Sequence, residues 1–338
     1  MKEQLKNLKL VALSKLSAKR LLEAKRLVSH CKRSDGFEPI FYWSSIENRK
    51  NPGIHEILCY TADQKLVGYV ALYHFEEHEV EVTSVVHPDH RSQEVYGLMF
   101  DHMKKVIADY PVEIKRYVFT CNHESLALKE YLGNQGASCA GFTRKLALTA
   151  HQYEKLKNQK GSSALTSESA VHLRIAHYTD IPELIQLGVK CFGVSLRDYQ
   201  RYLMKAFQDP TKVIFVVQSD NKIVGKLHAH IEKKKAYLYD LCIDPEHQNQ
   251  GYGGTLLCGT LKDLFEHNIR QVVIDVSDEN GSNWYEKFNF KCRTTYEHWK
   301  LPVFINPLKQ REKQLEELLL NFQCYQVQDQ MSDSVYKH

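Results

Sequence analysis

Gln248-Asn249-Gln250-Gly251-Tyr252-Gly253-Gly254 is the stretch whose residue types and spacing best fit a chemical task. It follows an apolar run, Tyr237 to Ile243, broken by Asp244-Pro245, and it precedes a helix-like run from Thr255 to His267. A strand that passes through a glycine turn into a helix presents free backbone N–H groups at the positive end of the helix dipole. Such an end suits a phosphate or pyrophosphate. Gly251 and Gly253 lack the Cβ atoms that would hold a ligand off the backbone. The glycines are too compressed for a G-x-G-x-x-G dinucleotide turn, and no G-x-x-x-x-G-K-[ST] segment occurs. In the preceding strand, Asp240 sits among apolar residues, where a carboxylate needs a bonding network or a site. Period-2 alternation predicts Leu238, Asp240 and Cys242 on one face and Tyr237, Tyr239 and Leu241 on the other. His228 and His230 alternate on the strand before it.

The chain carries this pattern twice. Asp63-Gln64-Lys65-Leu66-Val67-Gly68 and Asp220-Asn221-Lys222-Ile223-Val224-Gly225 lie 157 residues apart, as do Pro88 and Pro245, and Arg91 and Gln248. Asn122 and Asp278 correspond within one residue. A fixed offset held this long indicates an internal duplication, with a hairpin, a strand ending in proline and a helix in each copy. In the first copy Glu94 and Tyr96 replace the two glycines. A carboxylate repels a pyrophosphate and both side chains crowd the turn, so the second copy is expected to carry the chemistry.

Gln248 to Gly253, after Ile243-Asp244-Pro245, resembles the [Q/R]-x-x-G-x-[G/A] turn of the GNAT family of N-acetyltransferases. The resemblance implies an α/β (α+β) fold class: two tandem GNAT folds, each a mixed, mostly antiparallel sheet flanked by helices. It implies acetyl-CoA as cofactor, with its pyrophosphate on Gln248, Asn249, Gln250, Gly251, Tyr252, Gly253 and Gly254. Leu241, Cys242 and Ile243 would lie beside the pantetheine, with an N–H near Ile243 as oxyanion donor. Asp278 through Phe290 resembles the family's N-x-x-A-x-x-[L/F]-Y-E-K-x-G-F segment: Tyr285, Glu286, Lys287 and Phe290 match, while Asp278, Gly281 and Asn289 depart. Asp278 would face the cofactor, but a carboxylate lacks the amide donor. Tyr285 is thereby the candidate acid for the leaving thiolate, with Lys129 at the corresponding place of the first copy. Asp240 is the candidate base or anchor for the amine. None of the nine cysteines reads as a placed nucleophile, so direct attack in a ternary complex is expected.

The elements that must position these residues follow the duplication. At 338 residues, 43% hydrophobic and 25% charged, the chain suits two globular domains. The spacing predicts a degenerate copy over residues 1–150, a linker over 151–170, a catalytic copy over 171–302 and a tail over 303–338 with an amphipathic helix at Pro307–Phe322. Odd, scattered cysteines suggest a reducing cytoplasm without a metal site. No apolar run is long enough to span a bilayer. A net charge of +4 gives no argument for nucleic acid, and the ten Lys/Arg within residues 1–35 read as a solvated helix face. The expected partner is a small-molecule or peptide amine, met by a monomer or homodimer. A non-catalytic acyl-CoA-binding protein, and a peptide N-acetyltransferase using the first copy as platform, are the alternatives.

Overall fold

The computed structural model describes residues 8–49, 53–75, 78–110, 112–158 and 172–303. Its first half runs β1 (Lys9–Leu13), α1 (Ala18–Asp35), α2 (Trp43–Glu47), β2 (Glu56–Tyr60), β3 (Leu66–Tyr73), β4 (Glu79–Val86), α3 (Gln93–Ala108), β5 (Arg116–Asn122), α4 (Leu126–Asn134) and β6 (Ser138–Thr149). After α5 (Ala150–Asn158) the second half runs β7 (His172–Ile175), α6 (Ile181–Phe192), α7 (Leu196–Gln208), β8 (Lys212–Ser219), β9 (Lys222–Glu232), β10 (Lys235–Ile243), α8 (Tyr252–Glu266), β11 (Gln271–Val276), α9 (Glu279–Glu286) and β12 (Lys291–Pro302). The expected helix at Pro307–Phe322 and residues 159–171 of the linker region lie outside the described residues. The earlier part of that region forms α5, whose Tyr153 stacks on Phe265 with ring centroids 4.6 Å apart.

The repeat is visible in backbone detail. Gln64 and Asn221, 157 residues apart, both take positive φ at the tips of the β2–β3 and β8–β9 hairpins. At the far ends of β4 and β10, Arg91 Nε donates to the Val86 carbonyl and Gln248 Nε2 to the Ile243 carbonyl. Each copy thus caps its strand end with the residue that leads its turn.

The twelve strands form one sheet, in the order β1-β2-β3-β4-β5-β12-β6-β11-β10-β9-β8-β7. The copies exchange their last strands. β12 lies between β5 and β6, while β6 lies between β12 and β11. The cores follow the exchange: Leu301 of β12 is buried with α3 and α4, and Leu146 and Leu148 of β6 are buried with α8 and α9. Polar bonds close the seam, His298 meeting Thr120 at 3.1 Å on one side and Thr143 at 2.8 Å on the other.

β4 runs parallel to β5, and β10 parallel to β11, but the three antiparallel steps between β5 and β11 reverse one pair relative to the other. Each parallel pairing is short, ending at Val82 in β4 and at Leu238 in β10. Each copy therefore opens a cleft at the carboxyl end of its fourth strand, and the two clefts face opposite ends of the sheet.

Candidate active site

The second cleft is built by one irregularity. β10 pairs with β9 in regular register to Tyr239, then resumes at Cys242 opposite Lys226. Asp240, with φ of 56°, occupies the left-handed region at the break, so the strand carries a bulge there. The bulge overturns the expected alternation. Leu238 packs into the α8 core, whereas Cys242 packs against α6 and α7. Asp240 turns to the α7 side, with Tyr239, rather than sharing Leu238's face. Asp244 donates to Val224 across to β9, so the main-chain groups of Ile243, one residue earlier, point toward the side that β11 has left.

A cavity of about 470 Å³ fills this opening, lined by Leu241, Cys242, Ile243, Gln248, Asn249, Gly251, Gly253 and Gly254. Cys191, Phe192, His247 and Trp284 complete it. Gly251 is the N-cap of α8 with φ of 90° and no side chain caps the helix start. The open N–H groups sit beside the exposed strand edge, as a pyrophosphate with an extended arm requires. In the first copy a cavity of about 380 Å³ remains beside Val86, Arg91 and Tyr96, but the start of the equivalent helix, α3, is capped. Ser92 accepts from Val95 N–H, and Arg91 is held by Asp35 at 2.8 and 2.6 Å. Tyr96, in place of Gly253, is buried in the α3 core.

The remaining expected residues lie apart from the cavity wall. Gln250 donates to the Glu246 carbonyl, and Tyr252 hydroxyl to Ser219 at 2.9 Å. Asp278 caps α9 by accepting from Gly281 N–H at 2.6 Å. This explains the missing alanine, because a Cβ at Gly281 would stand 2.7 Å from Asp278 Oδ2. Tyr285 is buried, and burial, with the Asp278 carboxylate second, pushes its phenol well above the ordinary value. Its ring meets Trp284, which does line the cavity, at a centroid distance of 4.8 Å. Helix starts give a different register from the one expected for the first copy. Ser125 and Asp278 are the two N-caps, so Leu132 rather than Lys129 occupies Tyr285's place. Lys129 instead bonds Glu297 of β12 at 2.9 Å.

Asp240 belongs to a buried polar cluster that sequence reasoning largely missed. Lys226 Nζ lies 2.7 Å from its carboxylate and Tyr199 hydroxyl donates to it at 2.9 Å. Lys226 is fully buried, its ammonium over the rings of Phe192 and Tyr199 at 5.0 and 5.2 Å. Removing one partner of such a pair costs about 3–5 kcal/mol, because the other charge stays buried. Gly188 makes room for Tyr199, since a Cβ there would come within 2.1 Å of its ring. His228 Nε2 lies 3.3 Å from Asp240, and its ring stacks on Tyr202 at 5.9 Å. Burial, then the Lys226 charge, holds His228 down to about 2. Cys242 is no nucleophile here, as burial raises its thiol well above the usual range.

The His228 shift gives a stability prediction. An unfolded histidine takes a proton below about pH 6.5, and the buried one stays neutral, so the unfolded state binds more protons there. Stability contributed by His228 is complete above that pH and falls by about 1.4 kcal/mol per unit as pH drops below it. Urea titrations from pH 7 to 5 are expected to show this slope flattened in His228→Gln. An unchanged slope would assign the acid sensitivity elsewhere.

Residues 181–290 match the sequence model of the Acetyltransferase (GNAT) family. The second half of the chain, with its open turn and strand edge, is a member of that family. A mycothiol acetyltransferase of Acidimicrobium ferrooxidans is 22% identical over 312 residues, covering 85% of this chain and 96% of that relative. A GCN5-related N-acetyltransferase from Sphaerobacter thermophilus superposes with a TM-score of 0.73 at 14% identity, over 89% of this chain and 97% of that one. A tandem GNAT protein from the clavulanic acid biosynthesis pathway superposes at 0.70 with 11% identity, over 88% and 99%. The chain is an N-acetyltransferase of tandem GNAT architecture. No helix among the described residues is long and apolar enough to cross a membrane.

Proposed function

We propose that the second half transfers an acetyl group from acetyl-CoA to a primary amine by direct attack in a ternary complex, and that the first half is a degenerate copy without cofactor. The observation that carries this reading is the contrast between the two helix starts. α8 begins at a left-handed glycine with no side-chain cap, whereas α3 is capped by Ser92 and carries the bulky Tyr96 in its first turn. Acetyl-CoA supplies the activated thioester. The N–H groups from Asn249 to Gly254 hold the pyrophosphate, and the main chain of Leu241 and Ile243 pairs with the pantetheine arm. Ile243 N–H offers a donor to the acyl oxygen as charge develops on it.

Tyr285 holds the proton that the departing thiol needs. The raised phenol keeps that proton at neutral pH. Asp240 provides the carboxylate on the amine's side, directly or through the Tyr199 hydroxyl. The acceptor is a small metabolite amine, a reading supported by the mycothiol acetyltransferase relative. A panel of amines and peptides with acetyl-CoA, followed by free-thiol release, tests this. Release dependent on a small amine is the expected result; release with peptides alone, or cofactor binding with no acceptor at all, would overturn it.

A further inference from the structure

The bulge in β10 has a built-in control, because the same strand exists twice. In the first copy, β3 and β4 pair without a break from Tyr73–Glu81 to Gly68–Val86, and no residue of β4 takes positive φ. Tyr69 and Thr83 stand there at the places of Lys226 and Asp240, 157 residues earlier. Tyr69 turns its hydroxyl to Glu56 at 2.6 Å. In the second copy, Lys226 grips Asp240 twice, at the carboxylate at 2.7 Å and at the main-chain carbonyl at 3.3 Å. Tyr199 holds the other carboxylate oxygen.

We propose that Lys226 is the positioning residue of the cofactor strand: its ammonium locks Asp240 in the left-handed conformation, and this lock turns the main chain of Leu241 and Ile243 into the cleft. A side chain other than glycine enters that conformation only when its surroundings hold it there. Without the ammonium, a buried carboxylate keeps only the tyrosine hydroxyls, of Tyr199 and Tyr202, and loses its counter-charge. The register that Lys235–Tyr239 hold against β9 then runs on without a break, which shifts every following residue to the opposite face. The role rests on the acetyl-CoA reading for its consequence, but the lock itself is a property of the free protein.

Lys226→Met removes the charge and keeps the length. It is expected to raise the acetyl-CoA Kd about tenfold or more by calorimetry, as loss of a supporting partner commonly does. Backbone hydrogen exchange over residues 238–245 of the unliganded protein should quicken by about tenfold or more, reporting the lost lock directly. The double variant Lys226→Met/Asp240→Asn leaves no buried charge, and asparagine enters the left-handed region readily. It should return both readouts to within about threefold of wild type and covers the case in which the single variant fails to fold. Wild-type exchange and wild-type Kd in the single variant would overturn the proposal. So would a stably folded double variant that stays as weak as the single one. If the wild-type protein itself does not bind acetyl-CoA, the functional reading fails, and the exchange comparison still decides the lock.

Discussion

Gly253→Leu is expected to weaken acetyl-CoA binding by about a hundredfold or more, some 2.7 kcal/mol, with little change in melting temperature. A Cβ at Gly253 would come no closer than 3.6 Å to any protein atom, to Trp284, which is ordinary contact. The new Cβ therefore meets no protein clash, and the thermal melt separates a loss of binding at the backbone from a loss of folding. Gly251→Val makes the complementary case. There the space is open, but φ of 90° suits glycine, so strain of about 1–3 kcal/mol accompanies the loss of binding. Glu94→Leu, at the matching position of the first copy, should leave binding unchanged, because Ser92 already caps α3. Calorimetry and thermal melts on the three variants decide the matter. Binding retained in Gly253→Leu would place the pyrophosphate elsewhere, and binding lost in Glu94→Leu would restore the first copy to the reaction.

Tyr285→Phe should reduce turnover by about one to three powers of ten while the acetyl-CoA Kd stays within about twofold. The hydroxyl is the only part removed. The ring remains packed against Trp284 and Phe290, at centroid distances of 4.8 and 5.6 Å, so folding is preserved. Burial raises the phenol above its usual value near 10, and the group thus stays protonated across the neutral and mildly alkaline range. The wild-type rate should accordingly show no alkaline decline from Tyr285 below about pH 10. Steady-state kinetics with saturating cofactor separate the two parameters. A variant as fast as wild type would leave Tyr285 a packing residue and move the proton source to water.

Much of this site was legible because its signals are local. The turn from Gln248 to Gly254 declares itself through glycine and the preceding proline, and the first copy repeats its frame 157 residues earlier. The strand before Pro88 and the helix after it followed from the repeat, and they lie at Glu79–Val86 and Gln93–Ala108. The bulge was not legible. Alternation counts residues evenly, and a single left-handed Asp240 reverses every face beyond it. Lys226 reads in sequence as an ordinary strand lysine, since its value lies in partners that are 14 and 27 residues away, Asp240 and Tyr199. An aspartate beside Gly281 can be read as a cofactor contact, yet the pair's real work is to start α9. A cap-and-glycine pair three residues apart was the signal available for that. The exchanged strands left no mark at all, because β6 and β12 would satisfy the same periodicity whichever neighbour they met.

That exchange dictates the order in which the molecule can be completed. Thr120 must wait for His298, 178 residues later, before β5 gains its second neighbour. At a synthesis rate of about 5–20 residues per second, the wait is on the order of 10–35 s, during which β5 has a bare edge. The first copy cannot be completed until the last strand is made, and a chain stopped near Phe290 would leave β5 and β6 each with a bare edge. The first copy is thus tied to the second mechanically: the second borrows its β6, and deleting the first would strip that strand from beside β11.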